Sequence, residues 1–177
     1  MIKVVWFDFG GVLSPPIETI FDIYYQKTGI LPQQLKEAMS SVANDLGMPM
    51  LAPIENAKIT QKEWGAKVRK SLQKIYPTLD TTKADLEHFG AQWFSEIAPN
   101  KIMIWLFKQL KKQGYSVGIL TNNVIEWESH WRTMIQLDNE ADFIVDSCKF
   151  GYRKPDIEIF EIAQQIGKTQ PCENILI

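Results

Sequence analysis

The stretch Val4-Val5-Trp6-Phe7 closes a β-rich apolar run that begins at Ile2 and stops abruptly at Asp8-Phe9-Gly10-Gly11. A run without polar alternation suits a strand covered on both faces, as in a parallel sheet. Parallel sheets place their reactive groups just beyond the carboxyl ends of the strands, and Asp8 stands at that point. Gly10 and Gly11 let the backbone turn through conformations closed to other residues and present its N–H groups to an anion. An aspartate followed by glycines also suits a plain turn, and this stretch alone leaves both readings open. It is not a dinucleotide fingerprint, because no G-x-G-x-x-G opens a helix and Pro15-Pro16 soon interrupts the chain; a P-loop is also absent.

A chain of 177 residues has room for one domain with an insertion and is short for two independent ones. Beyond Pro15-Pro16 the apolar spacing is helical: Ile17, Ile20, Phe21 and Tyr24 run to Gly29, and Leu35, Met39 and Val42 follow Pro32. Residues 47–57, with Pro49 and Pro53, read as a loop. Thr60-Gln61-Lys62-Glu63 has the form of a capping box and opens a helix through Val68, Leu72 and Ile75, which Pro77 ends. Leu86, Phe89, Trp93 and Phe94 stripe a last helix that stops near Pro99.

From Asn100 the pattern changes to alternation. A helix through Met103, Leu106, Phe107 and Leu110 ends at Gly114, a strand covers 116–120, and Trp127, Trp131 and Ile135 mark a helix. Residues 143–145 form a short strand, 157–166 a helix ended by Gly167 with Pro155 at its first position, and 174–177 the start of another strand. Such alternation predicts parallel strands with right-handed crossovers. The expected fold is α/β: a Rossmann-like parallel sheet core formed by 1–14 and 98–177, interrupted by a helical cap at 15–97.

A net charge of −2 and a pI near 5.7 leave no electrostatic footprint for nucleic acid, so the expected partner is a small molecule. No apolar run is long enough for a signal peptide core or a membrane span, which predicts a cytoplasmic protein. Cys148 and Cys172 make neither metal-ligand spacing nor a disulfide framework and are expected to be reduced. His88 and His130 read as surface or capping residues, the tryptophans as core, and the basic residues Lys62, Lys67, Arg69, Lys70 and Lys74 as a solvated helix face. Nothing in the sequence fixes the oligomeric state.

Two later stretches share the strand-end character of the first. Val117-Gly118-Ile119-Leu120 ends in Thr121-Asn122-Asn123, where a hydroxyl could cap the coming helix or hold an anion at its N-terminus. Val145-Asp146 leads through Gly151 to Arg153-Lys154-Pro155-Asp156 and an apolar-Phe pair at Ile159-Phe160. A lysine held by a following proline at the mouth of a parallel sheet is a candidate fixed charge.

Taken in order, these stretches resemble the first three motifs of the haloacid dehalogenase superfamily of hydrolases, the third most strongly. The resemblance implies that Asp8 is the nucleophile, that the hydroxyl and N–H of Thr121 hold a phosphoryl oxygen with Asn122 and the Gly10-Gly11 loop beside it, and that Lys154 neutralises Asp8 and the transferring group. Mg²⁺ would be held by the Asp8 carboxylate, the carbonyl of Gly10 and acids of a fourth motif. It implies a phosphatase of a small phosphorylated metabolite working through an aspartyl-phosphate.

Two departures qualify what the resemblance implies. Gly10 stands where most phosphatases of the superfamily carry a second aspartate for proton transfer. A comparable glycine occurs in a branch of sugar-phosphate phosphatases, whereas 2-haloacid dehalogenases, the alternative activity, usually have a tyrosine there. Glu173 to Ile177 reads as the strand leading into the fourth motif, so the acid of that motif, the last crossover and a sheet edge are expected to be missing from these 177 residues. A non-catalytic binding module, or an inactive truncated chain, is the reading from outside the enzyme class.

Overall fold

A computed structural model describes residues 1–177. Its four parallel strands, β1 (Val4–Phe7), β2 (Ser116–Thr121), β3 (Phe143–Asp146) and β4 (Asn174–Leu176), lie in the order β3-β2-β1-β4. The register pairs Phe7 with Ile119 and Thr121 with Asp146, so the carboxyl ends of the three motif-bearing strands open on one edge of the sheet. Gly118 is required by packing: a Cβ there would come 2.6 Å from the indole of Trp6 on the neighbouring strand.

Successive residues of β1 face opposite sides, as the pleat requires. Val5 and Phe7 join a cluster of 30 buried residues; Val4 and Trp6 join a smaller one with Leu120, Val145, Ile159 and Ala163. Burial on both faces explains why this strand has no polar alternation.

Between β1 and β2 lie only helices: α1 (Ile17–Thr28), α2 (Pro32–Asp45), α3 (Ala52–Glu55), α4 (Gln61–Ile75) and α5 (Phe89–Phe94). Beyond them, α6 (Lys101–Lys112) precedes β2, α7 (Glu128–Ile135) links β2 to β3, and α8 (Ser147–Phe150) and α9 (Ile157–Gly167) link β3 to β4. The capping box forms as expected: Thr60 Oγ1 accepts from the Glu63 N–H at 3.2 Å, and Glu63 Oε2 accepts from the Thr60 N–H at 2.9 Å. The helices before β2 share the large core cluster with the sheet. Phe9 meets Phe94 and Trp131 at ring separations of 5.9 and 5.5 Å, and Phe89 meets Trp127 at 5.7 Å.

Several local expectations are corrected. The segment read as a loop contains α3, because Pro53 sits in the first turn of a short helix, where it costs no hydrogen bond. The last helix expected before Pro99, striped by Leu86, Phe89, Trp93 and Phe94, is divided into a 3₁₀ turn, Leu86–His88, and a separate α5. Pro155 lies ahead of α9, whose N-cap is Asp156. Arg69 is not part of a solvated face: it pairs with Glu87 at 2.5 Å and donates to the carbonyls of Thr81 and Ala84. Trp105 is 61% exposed and outside the core.

Two predictions follow from the packing. A Cβ at Gly65 of α4 would lie 1.9 Å from the backbone carbonyl oxygen of Leu86, which cannot swing away as a side chain would. Gly65→Ala should therefore destabilise the chain by at least about 2 kcal/mol, read as a drop in melting temperature of roughly 4 °C or more; an unchanged melting temperature would refute this packing. The second concerns Asp146, fully buried at the end of β3, with Oδ1 accepting from the Cys148 N–H at 3.4 Å and Oδ2 unpartnered. Burial pushes its carboxyl up to about 6. Because the folded value exceeds the unfolded one, the folded chain binds the proton more tightly, and stability falls as pH rises from about 4 to above 6. Asp146→Asn keeps a capping side chain and removes this term. Relative to wild type, its unfolding free energy in urea titrations should improve by on the order of 2–3 kcal/mol between pH 4 and pH 7; a pH-independent difference would contradict it.

Candidate active site

The loop after β1 is built around Asp8. Its N–H donates to the Ile177 carbonyl at 2.9 Å, which fixes the backbone at the sheet edge, and Oδ1 accepts from the Phe9 N–H at 2.6 Å. Gly10 has φ −68° and ψ 111°; Gly11 has φ 76°, in the left-handed region that favours glycine. The buried Ser14 closes the turn, its Oγ accepting from the Gly11 N–H at 3.0 Å.

Lys154 reaches the same carboxylate. Nζ lies 2.7 Å from Asp8 Oδ1 and donates to the Leu120 carbonyl at 2.9 Å, and its side chain is only 14% exposed. Asp8 Oδ2 accepts no hydrogen bond, and the Asp8 side chain is 32% exposed. Asn122 holds the lysine from behind: Oδ1 accepts from the Lys154 N–H at 2.7 Å and Nδ2 donates to the Lys154 carbonyl at 2.9 Å. Both polar atoms of Asn122, expected from the sequence beside the phosphate, are thus engaged by the backbone of Lys154. Thr121 caps no helix. Its hydroxyl is fully buried at the end of β2 and has no partner. The structure therefore brings Asp8, Thr121, Asn122, Lys154 and the Gly10-Gly11 turn to one edge of the sheet.

Next to this edge lies a cavity of about 180 Å³ that touches Gly10, Ser14, Asn122 and Asn123 on one side and aromatic groups such as Phe21, Trp93 and Trp127 on the other. Glu55, at the end of α3, is the one charged side chain lining it. Glu55 is 6% exposed; Oε2 pairs with Arg153 Nε at 2.7 Å, and its backbone carbonyl accepts from Ser147 Oγ at 2.8 Å. Burial pushes the Glu55 carboxyl up, Arg153 pulls it back down, and the negative charge of Asp8 adds to the rise. A depression of about 320 Å³ between α2 and α4, edged by Lys67, Lys70 and Lys74, touches none of these groups.

The donor set at Asp8 fits a hard divalent cation in part. Mg²⁺ is commonly held by one or two carboxylates with waters and substrate phosphate completing six oxygens, and the unpartnered Asp8 Oδ2 is such a ligand. No cluster of three metal-ligating side chains accompanies it.

Sequence reasoning missed Glu55, Ser147 and the pairing role of Arg153. Glu55 had a readable trace: it is the only acid between Asp45 and Glu63 and follows the apolar run Met50 to Ile54. A carboxylate after such a run is either wasted or buried for a purpose. Its partners lie about a hundred residues away and carry no local pattern.

Comparison with known proteins gives a consistent family. The chain is 26% identical over 184 residues to the bifunctional epoxide hydrolase 2 of Sus scrofa, covering 99% of this chain and 33% of that protein. It thus spans about a third of the length of that relative. Among solved structures, a HAD family enzyme of Bacteroides thetaiotaomicron in complex with magnesium and inorganic phosphate superposes with a TM-score of 0.65 at 18% identity, covering 99% of this chain and 84% of the other. The L-2-haloacid dehalogenase of Xanthobacter autotrophicus gives 0.66 at 15% identity, covering 99% and 69%. These likenesses establish the fold, and the family model for haloacid dehalogenase-like hydrolases matches residues 5–177: the chain belongs to that family.

Proposed function

We propose that this hydrolase is a Mg²⁺-assisted phosphatase of a small cytoplasmic phosphate monoester, acting through an aspartyl-phosphate on Asp8, with 1–14 and 98–177 as core and 15–97 as cap. The observation that carries the reading is the state of the Asp8 carboxylate: Oδ1 is held by Lys154 Nζ at 2.7 Å while Oδ2 is left without a partner. A carboxylate approaching a phosphate meets like charge, so the site needs a fixed cation that costs no reorganisation when charge builds up. Lys154, gripped by Asn122 and the Leu120 carbonyl, is such a cation. The orphaned Thr121 hydroxyl fits the same picture, because a buried donor without a partner costs about 1–3 kcal/mol unless a ligand accepts from it.

In the first step Asp8 Oδ2 bonds to phosphorus, the ester P–O bond breaks with its electron pair going to the leaving oxygen, and that oxygen departs as an alkoxide that must take up a proton. In the second, water attacks the phosphorus and returns Asp8 as carboxylate with free phosphate. Asp8 and the Gly10 carbonyl would hold Mg²⁺, which when bound offsets the charge of the phosphoryl oxygens. The magnesium and phosphate bound by the Bacteroides thetaiotaomicron relative support this choice of ion and substrate.

The test is phosphate release from a panel of monoesters with Mg²⁺. Asp8→Asn should lower turnover by at least about a thousandfold while the melting temperature stays near that of wild type. Halide release from 2-chloropropionate without phosphate release from any ester would assign the site to dehalogenation instead. Lys154→Met should cost on the order of 3 kcal/mol of transition-state stabilisation, about 150-fold, chiefly in kcat. A rise confined to KM would reduce Lys154 to a binding residue.

A further inference from the structure

We propose that Glu55 carries the proton transfer for which position 10 has no side chain, protonating the departing alkoxide and then taking a proton from the attacking water. The inference rests on the phosphatase reading above and names the acid that reading requires. Gly10 offers no titratable group, yet the cavity that begins at Gly10 contains one ionisable side chain, that of Glu55. Its placement is fixed from two sides. Ser147 Oγ holds its backbone carbonyl at 2.8 Å, and Arg153 Nε holds Oε2 at 2.7 Å. Oε1 accepts no hydrogen bond from the protein, and Glu55 lines the cavity.

Arg153 and Lys154 are consecutive, so neighbouring residues of one segment pair with the carboxylates of Glu55 and of Asp8. No hydrogen bond joins the two acids. The charged groups that act on Glu55 are Arg153, Asp8 and Lys154; burial, reinforced by Asp8, outweighs the two cations and raises its proton affinity, the direction a general acid needs.

The proton balance closes without any further reactant. As the P–O ester bond breaks, the O–H bond of Glu55 breaks and its proton bonds to the ester oxygen. When water then adds to phosphorus and the bond to Asp8 breaks, one water proton returns to Glu55, and phosphate departs.

The test separates leaving groups. p-Nitrophenolate leaves without protonation, whereas a simple alkoxide does not. Glu55→Gln keeps an acceptor for Arg153 and removes the acid. It should lower kcat/KM for an alkyl phosphate by about 100-fold or more and for p-nitrophenyl phosphate by less than about tenfold. A structural role would depress both esters equally, and that result, or no loss on either, would overturn the assignment. A second variant guards against a folding defect. At Gly10 φ is −68° and a Cβ would meet nothing within 4 Å, so Gly10→Asp fits and restores an acid there. In the Gly10→Asp background the effect of Glu55→Gln on the alkyl ester should shrink below about tenfold; a loss as large as in the Gly10 chain would refute the role. Absence of turnover on both esters by the wild-type chain would instead defeat the phosphatase reading itself, whereas unselective turnover defeats only the role of Glu55.

Discussion

The ion pair between Asp8 and Lys154 is the contact on which the arrangement of the site depends. Taking two charges out of water costs several kcal/mol for each, and their attraction offsets this only when the remaining donors and acceptors are also satisfied. Here the satisfying groups come from separate parts of the chain: the Phe9 N–H after β1, the Leu120 carbonyl of β2, and Asn122, which clamps the backbone of Lys154. A shift of one residue in the β1–β2 register would turn every side chain of the strand to the opposite face and part these groups. The full burial of β1 on both faces, which demands its unbroken apolar sequence, is therefore also what aims Asp8.

The inserted helices are not a detached lid. Gln61, at the start of α4, accepts from the Gly90 N–H at 2.7 Å and from Trp127 Nε1 at 2.5 Å through one oxygen, and its own N–H donates to Glu126. Trp127 belongs to the segment that follows β2, so this side chain joins the insertion to the sheet half of the molecule. Around it, Phe89, Phe94 and Trp127 form one aromatic group with ring separations of 5.7 and 5.8 Å. Gly90 is the glycine that makes this possible, since a Cβ there would lie 2.2 Å from the indole of Trp127. Opening the insertion would expose part of the same core that buries β1, which couples the shape of the cavity to the stability of the whole chain.

The sheet and its edge were legible in the sequence because they rest on short-range rules. An apolar run ending in an acid, a hydroxyl after a second strand, and Lys-Pro ahead of a helix are each local patterns with a steric or electrostatic cause. What escaped was decided at long range. Arg69 looks like one more base on an exposed helix until the chain returns at Glu87 and supplies two carbonyls beside it. Trp105 lies within an apolar helical stretch, but α6 packs on the sheet through Phe107 and leaves the indole outside. Thr121 has the look of an N-cap, yet the 3₁₀ turn Ile125–Trp127 begins too far along the chain for its hydroxyl to serve, and Asn123 bonds the Val124 N–H instead. Glu55 left only a local trace: a four-residue helix ending in an acid gains its meaning when Ser147 and Arg153 arrive from the segment after β3.

The location of Glu55 changes what a missing side chain at position 10 implies. An acid on the loop after β1 would be present whether or not the helices were packed against the sheet. Glu55 belongs to α3, and it faces the cavity only while Ser147 and Arg153 hold that helix to the sheet edge. The burial that raises its proton affinity is supplied by the same apolar walls, so that rise depends on the walls staying packed around it. Water that entered an open cavity would lower that affinity by solvating the carboxylate and would strip the acid of its advantage. A chain that moves its proton donor from the core to the insertion thereby makes proton transfer conditional on closure, and it does so with one ion pair and one hydroxyl rather than with a separate switching element.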